Sequence, residues 1–330
     1  MLTPVQQKLL RVLADGAIHT GTELGEYLSI SRAAVWKQIQ VIQALDVEII
    51  SLQRKGYRLA HSITLLTSES IERQLSREVR GQVPQIQICW ICDSTNSTLM
   101  RQFRSRVDLK QGSVLLAEQQ TAGRGRRGKE WISPFGGSIY LSIFWKFEQG
   151  AMALSGLGIV VGVAIAEALI DLGVEGVQLK WPNDIYLYGK KLGGILVEVE
   201  GEADGPTYAV IGAGVNLVMS VSTHEKIDQP AASLSEVAGV NVERDTLAAA
   251  IINRLVPMLN IFSVEGLVSV LEQWKGFDLM RDADVELDLG GESIRGIACG
   301  INDMGALQLK RKNGDIKSYY SGDLSLRLAQ

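Results

Sequence analysis

The spacing of apolar positions changes twice along the chain. In the first sixty residues it is helical. "TPVQQKLLRVLADG" reads as a helix stopped by Gly16, "TGTELGEYLSI" as a short second helix, and Ser31 caps a third, "SRAAVWKQIQVIQALD". On the third helix Val35, Ile39 and Ile42 fall at i, i+4 and i+7, one buried face, while Arg32, Trp36, Lys37 and Gln40 project from the other side. "VEIISLQRKGYRLA" then predicts a strand, a tight basic turn at Arg54-Lys55-Gly56, and a second strand. Two short helices joined by a tight turn, the second basic and amide-rich, followed by a hairpin, make a winged helix-turn-helix, whose second helix enters the major groove. The expected DNA contacts are Ser31, Arg32, Trp36, Lys37, Gln40, Arg54 and Lys55.

"HSITLLTSES" reads as a linker, with Thr67 or Ser68 capping a new helix that carries Glu69 in its first turn. The middle of the chain mixes strands with helices. "SVLLAEQQ" and the alternating "SIYLSIFWKF" are strands, and "AVIGAGVNL" is a glycine-lined strand that backbone or ligand can approach closely. The last fifty or so residues form short alternating runs punctuated by Gly-Gly, Asn-Asp, Met-Gly and Asn-Gly. That pattern predicts a small all-β unit, a barrel of about five strands. No internal repeat or low-complexity segment interrupts the chain.

Composition narrows the class. A length of 330 residues suggests two or three domains, and 46% hydrophobic residues with net charge −4 fit a soluble globular protein. The longest apolar stretches are broken by glycines and fall short of the ~18 continuous apolar residues of a membrane span, so no membrane partner is expected. The N-terminus lacks the basic start, apolar core and small-residue cleavage site of a signal peptide. Three cysteines are a sparse, odd set that suits a reducing cytoplasm. Cys89 and Cys92 form C-x-x-C, but in the strand-like "IQICWIC", with neither the helix nor the second pair that redox or zinc chemistry needs. Residues 1–60 carry seven Lys/Arg against five Asp/Glu, and the remainder 26 against 32. A mildly basic head on an acidic body points to an anionic partner for the head.

"GRGRRGK", Gly123 to Lys129, matches two phosphate motifs superficially. As G-x-G-x-x-G it should open a helix, but Pro134 and Gly136-Gly137 follow and then a strand. As a P-loop it has Glu130 where a hydroxyl must bind magnesium, and no helix presents its N-terminus. It is therefore a glycine-rich basic loop between strands. Arg124, Arg126, Arg127 and Lys129 place four cations in seven residues. Their mutual repulsion and the glycine backbone predict a loop that stays mobile until an anion orders it.

A second cluster lies in "QLKWPNDIYLYGKKLGGILVEVEG": Lys180, Asn183 and Asp184, a strand, a turn at Gly189, Lys191, then Gly193-Gly194 and another strand. Lys180 and Lys191 suit a phosphate or carboxylate, and Asp184 suits Mg²⁺. "CDSTNS" adds Ser94, Thr95 and Asn96, short polar groups suited to a ureido or amide ligand.

In this order and spacing, "DSTN", "QQTAGRGRRG", "KWPND", "KKLGGILVE" and "GAGVN" closely resemble the bacterial biotin protein ligases. With the winged helix, the whole chain resembles the bifunctional class that is both biotin ligase and biotin operon repressor. The resemblance implies an α+β multidomain fold: a winged-helix DNA-binding domain over 1–62, a mixed-sheet α/β catalytic domain binding biotin and ATP over 63–272, and a small SH3-like β-barrel over 273–330. It implies a cytoplasmic biotin–[acetyl-CoA-carboxylase] ligase acting in two steps. Biotin's carboxylate attacks the α-phosphate of ATP, with Mg²⁺, giving biotinyl-5′-AMP and pyrophosphate. A lysine of the biotin carboxyl carrier protein then takes the biotinyl group. It also implies operator DNA as a partner, bound by a homodimer that biotinyl-AMP favours.

The expected biotin contacts are Ser94, Thr95, Asn96, Gln120, Arg124, Gly125, Arg126 and Lys191, of which the resemblance puts Thr95, Gln120 and the Arg124–Arg126 backbone around biotin. The expected ATP contacts are Arg124, Trp131, Lys180, Asn183, Gly194 and Asn216. Arg126, Lys191, Lys180 and Asp184 carry the chemistry, with cations screening the two anions that must meet. Asp184 serves as a metal ligand or as an orienter of the incoming lysine. Two alternatives remain: a lipoate- or octanoate-type acyl ligase, and a transcription factor that only senses its ligand.

Overall fold

Side-chain caps set where the first helices begin in the computed structural model, which describes residues 2–60, 62–105, 109–201, 205–237 and 242–326. Thr3 and Gln6 exchange side-chain-to-backbone hydrogen bonds at the start of α1 (Pro4–Leu13), and Thr20 and Glu23 do the same for α2 (Gly21–Leu28). Ser31 Oγ accepts from the Ala34 N–H and opens α3 (Arg32–Gln43), as its sequence position predicted. Ser29, left-handed at φ 55°, makes the turn between α2 and α3. An antiparallel hairpin of β1 (Ile49–Leu52) and β2 (Gly56–Leu59) completes the winged helix-turn-helix. Leu9, Leu10, Leu13, Val35, Ile39 and Ile42 are fully buried at its centre.

The central unit follows in chain order as α4 (Ser68–Gln74), α5 (Arg77–Arg80), β3 (Ile86–Cys92), α6 (Thr95–Arg104), β4 (Val114–Gln120), β5 (Ser138–Phe147), α7 (Leu157–Asp171), β6 (Val177–Lys180), β7 (Asp184–Leu187), β8 (Lys190–Gly201), β9 (Thr207–Asn216), α8 (Val221–Glu225), α9 (Arg244–Glu265) and α10 (Leu271–Phe277). Its seven strands form one mixed sheet in the order β3-β4-β5-β9-β8-β7-β6, with β3 and β4 parallel and the other pairs antiparallel. The period-two rule divides the sheet's work. Ile139, Leu141, Ile143 and Trp145 of β5 and Ala209, Ile211, Ala213 and Val215 of β9 join the large core beneath α7 and α9. The opposite residues, Phe144 and Val210, meet Leu99 and Met100 of α6. Two helical stretches, 151–171 and 244–277, are long and apolar enough to cross a bilayer by composition alone. They contain α7 and α9, which pack on each other and on the sheet as core helices.

Thr67 stands at the N-cap of α4, as expected, but its side chain makes no capping hydrogen bond to the helix. Its Oγ1 donates to Asp245 Oδ2 at 3.1 Å and its N–H to Oδ1 at 3.1 Å, tying the linker to the first turn of α9. The neighbouring linker residues are tied as firmly. Leu66 N–H donates to Glu118 Oε1 at 2.7 Å, and Arg244 donates to Glu118 Oε2 and to Ser138 O. Glu118 and Arg244 are almost wholly buried. Breaking such a pair strands a charge in the interior and typically costs about 3–5 kcal/mol. Glu118→Ala should therefore lower the thermal midpoint by many degrees; a midpoint within about 2 °C of wild type, a fraction of a kcal/mol for a domain of this size, would show the pair to be dispensable.

The C-terminal strands β10 (Asp284–Asp288), β11 (Ser293–Ile301), β12 (Leu307–Lys310), β13 (Ile316–Tyr319) and β14 (Asp323–Leu326) form an antiparallel sheet in the order β13-β12-β11-β10-β14. The five strands match the expected count. The end of the unit, 327–330, lies outside the described residues.

Candidate active site

Glycines decide where the cleft lies. On the α6 face of the sheet, β9 presents Val210, Gly212 and Gly214 and β8 presents Gly194, Leu196 and Glu198, by the same alternation that buries their neighbours under α7. Without side chains at 194, 212 and 214 the sheet surface opens into a cleft. Elements from other strands come close over this floor. A Cβ on Gly212 would lie 2.3 Å from Asn96 Oδ1, and one on Gly214 would lie 2.8 Å from the Trp131 ring. The cleft is lined by Ser94, Thr95, Asn96, Gln120, Arg124, Gly125, Arg126, Trp131, Asn183, Asp184, Lys191 and Gly194, drawn from four separate motifs of the sequence.

One end of the cleft is uncharged and polar. Gln120 Oε1 accepts from the Thr95 N–H at 2.9 Å and from Thr95 Oγ1 at 3.2 Å, while Gln120 Nε2 donates to Ser133 Oγ at 3.0 Å. Ser142, fully buried in the middle of apolar β5, lies 2.7 Å from Thr95 Oγ1 and 2.6 Å from Asn96 Oδ1. Ser94 opens α6 as its N-cap, so the start of that helix points Thr95 and Asn96 at the sheet.

The other end is cationic. Lys191 Nζ lies 2.8 Å from Asp184 Oδ1 and 5.7 Å from the centroid of the Trp131 ring. Both side chains of the ion pair are more than four-fifths buried. Lys191 is reached by a local irregularity: β7 and β8 pair Ile185 with Gly193 but Tyr186 with Lys191, a bulge beside the cleft that re-aims the lysine. Arg126 Nη1 donates to Asn183 Oδ1 at 3.1 Å. Arg124 Nη2 donates to Glu198 Oε2 at 2.6 Å. Two of the loop cations thus take partners outside the loop, a counter-charge at Glu198 for Arg124 and a neutral acceptor at Asn183 for Arg126. The Trp131 indole N–H is buried without a protein acceptor.

Lys180 and Asn216 do not line this cleft. Lys180, on β6, donates to Tyr186 Oη at 3.3 Å, and Asn216, at the end of β9, donates through Nδ2 to Ala232 O at 3.2 Å. Sequence reasoning overlooked Glu198 and Ser142. A serine at a buried position of a strand such as "SIYLSIFWKF" was the available signal for the second. Nothing in "GGILVEVEG" separates Glu198 from Glu200.

The winged helix contacts the central unit close to the cleft. Gln119, adjacent to Gln120, donates through Nε2 to Leu45 O just beyond α3 at 2.6 Å, and Ser220 Oγ donates to Glu48 Oε1 at 3.1 Å. Arg11 lies 5.4 Å over the Trp90 ring, and Trp90 stacks on Phe135, which is buried in the winged-helix core. On the far side, Arg32, Lys37, Gln40, Arg54 and Lys55 are exposed and Trp36 is 52% exposed.

Comparison with known proteins accounts for each unit. Residues 5–58 match the HTH domain family, 88–216 the biotin/lipoate A/B protein ligase family, and 284–327 the biotin protein ligase C-terminal domain. The chain is 42% identical to the bifunctional ligase/repressor BirA of Escherichia coli (strain K12), over 99% of this chain and 98% of that one. It is 28% identical to the protein of the same description from Bacillus subtilis (strain 168), over 93% of each. Among solved structures, biotin protein ligase from Aquifex aeolicus in complex with biotin and ATP superposes with a TM-score of 0.62 at 27% identity, covering 74% of this chain and all of that one. An HTH unit, a mixed-sheet ligase unit and an antiparallel C-terminal unit in one chain, with this identity along its whole length, place it in the family of bifunctional biotin ligase/repressors, to which the chain belongs.

Proposed function

We propose that the protein joins biotin to ATP, forming biotinyl-5′-AMP and pyrophosphate, transfers the biotinyl group to a lysine of biotin carboxyl carrier protein with release of AMP, and represses biotin-synthesis genes when biotinyl-AMP is bound. The observation that carries the reading is one cleft with a neutral polar end at Thr95 and Gln120 and a cationic end at Arg126 and Lys191. Biotin has that polarity, an uncharged ureido ring at one end and a carboxylate at the other. Its ring meets Thr95 and Gln120, with Ser94, Asn96 and the Arg124–Arg126 backbone around it. Its carboxylate approaches the α-phosphate near Lys191 and Arg126. Two anions meet there, so fixed cations stabilise the charge that grows between them. The unpaired Trp131 indole N–H, over glycine backbone, supports a ring or acceptor from the nucleotide beside it. Asn183 and Gly194 complete that side, and we assign Lys180 and Asn216 to it as well, next to the residues that line the cleft.

Asp184 is the counter-charge that holds the Lys191 ammonium in place. Among the described residues no group of three or more His, Cys, Asp or Glu comes together as a cage for a metal ion. Mg²⁺ keeps most of its waters and would arrive on the ATP phosphates, with Asp184 the one protein ligand we assign. The C-terminal sheet as an SH3-like barrel, the unit boundaries at 62 and 272, cytoplasmic location and a homodimer on operator DNA complete the proposal. Arg32, Trp36, Lys37 and Gln40 read the groove from α3, with Ser31 at its start and Arg54 and Lys55 on the wing.

Biotin-dependent exchange of labelled pyrophosphate into ATP tests the ligase half; its absence in folded protein would leave a ligand sensor. Competition of lipoate against biotin separates the acyl-ligase alternative, against which the 42% identity to a ligase/repressor already weighs. Arg126→Gly should leak. It removes the bond to Asn183 and adds backbone freedom to a loop that closes over the reactive anhydride. Biotin appearing on unrelated proteins mixed with the variant is the expected readout. Labelling confined to the carrier protein would remove the lid role from Arg126.

A further inference from the structure

We propose that Glu198 is a positioning residue of the biotin pocket, a latch whose single carboxylate oxygen ties the arginine loop to the sheet. Glu198 Oε2 accepts from Arg124 Nη2 at 2.6 Å and from Asn96 Nδ2 at 3.0 Å. Asn96 gives its other amide hydrogen to Leu196 O at 3.0 Å, so its amide is fixed over Gly212. From Asn96 a chain of polar groups continues through Ser142, Thr95 and Gln120 to Ser133, whose hydroxyl donates to Trp131 O at 2.9 Å.

The two ends of this chain are the two legs of one loop. Arg124 lies on the outgoing leg and Trp131 on the returning leg, and the legs are pinned together by Trp131 N–H to Gly123 O at 2.9 Å and Gly125 N–H to Lys129 O at 2.7 Å. A loop held on both legs stays over the cleft; one held on a single leg swings. Glu198 does not itself line the cleft and acts through Arg124 and Asn96. Arg124 takes Glu198 as its counter-charge, as Lys191 takes Asp184.

Arg124 and Glu198 side chains are 44% and 26% exposed, so solvent screens the pair and its effect is several-fold rather than absolute. The latch rests on the ligase reading only for its kinetic consequence, so the test has two arms. Glu198→Gln keeps an oxygen for Asn96 and removes the charge. In protein freed of biotin and nucleotide, trypsin should cut after Arg127 or Lys129 about fivefold faster in Glu198→Gln and in Arg124→Gln, and no faster still in the double variant, because both changes open the same contact. In the exchange assay, the effect of Glu198→Gln should fall on KM for biotin rather than on kcat. Wild-type cleavage in a Glu198→Gln protein with an unchanged thermal midpoint, or additive effects in the double variant, would overturn the latch. A coupled cleavage pattern in a protein with no biotin-dependent exchange would uphold the latch and sink the ligase reading instead.

Discussion

Lys191→Ala is expected to lower biotin-dependent pyrophosphate exchange by about 10²–10³-fold, the loss typical of removing one preorganised group that stabilises a charged transition state. The expectation rests on geometry. The ammonium is mostly buried, is held 2.8 Å from Asp184, and stands on the β-bulge that turns it into the cleft. Desolvation makes such a charge worth more than the same lysine in water. The fold has a stake in the pair as well, because alanine leaves the Asp184 carboxylate without its partner. Lys191→Ala with Asp184→Asn removes that orphan and serves as the stability control. The measurement is exchange rate beside thermal midpoint. Exchange within tenfold of wild type in a folded Lys191→Ala protein would show that the cation at this end of the cleft is supplied elsewhere.

Biotinyl-AMP is expected to tighten operator binding by roughly 5–150-fold, the usual range of an allosteric coupling free energy. A single winged helix with a small positive balance makes few phosphate contacts, and two copies on a palindrome gain effective concentration. The ligand can favour that assembly only by binding it more tightly than it binds the monomer. A physical route exists: Gln120 faces the neutral polar end of the cleft and Gln119 beside it holds the carbonyl of Leu45 beyond α3. Removal of residues 1–62 should abolish operator binding. It should also impair ligation, since it strips the cover from Trp90 and Phe135 and removes the Leu45 contact. Operator titration with and without biotinyl-AMP, at fixed salt and with parallel sedimentation, decides the matter. Equal affinity in both states, or tight binding by a form that sediments as a monomer, would refute ligand-controlled repression.

The sequence by itself determined the elements and much of the cleft. Helix caps at Thr3, Thr20 and Ser31, the i, i+4, i+7 face of α3 and the strand alternation of β5 are local features, and local sterics and hydrogen bonding settle them. The cleft residues were legible because glycine and charge clusters are unusual in a folded interior and stand out in a string of letters. Tertiary structure alone decided which partner each charge takes. Glu198 lies 74 residues from Arg124, and Glu118 lies 126 from Arg244, so no window of sequence brings them together. It also decided that Lys180 turns to Tyr186 and that Asn216 turns to the carbonyl of Ala232. A side chain's direction depends on the register and twist of strands paired across the sheet, and a single shift, such as the bulge at Ile185–Tyr186, reassigns what a lysine faces.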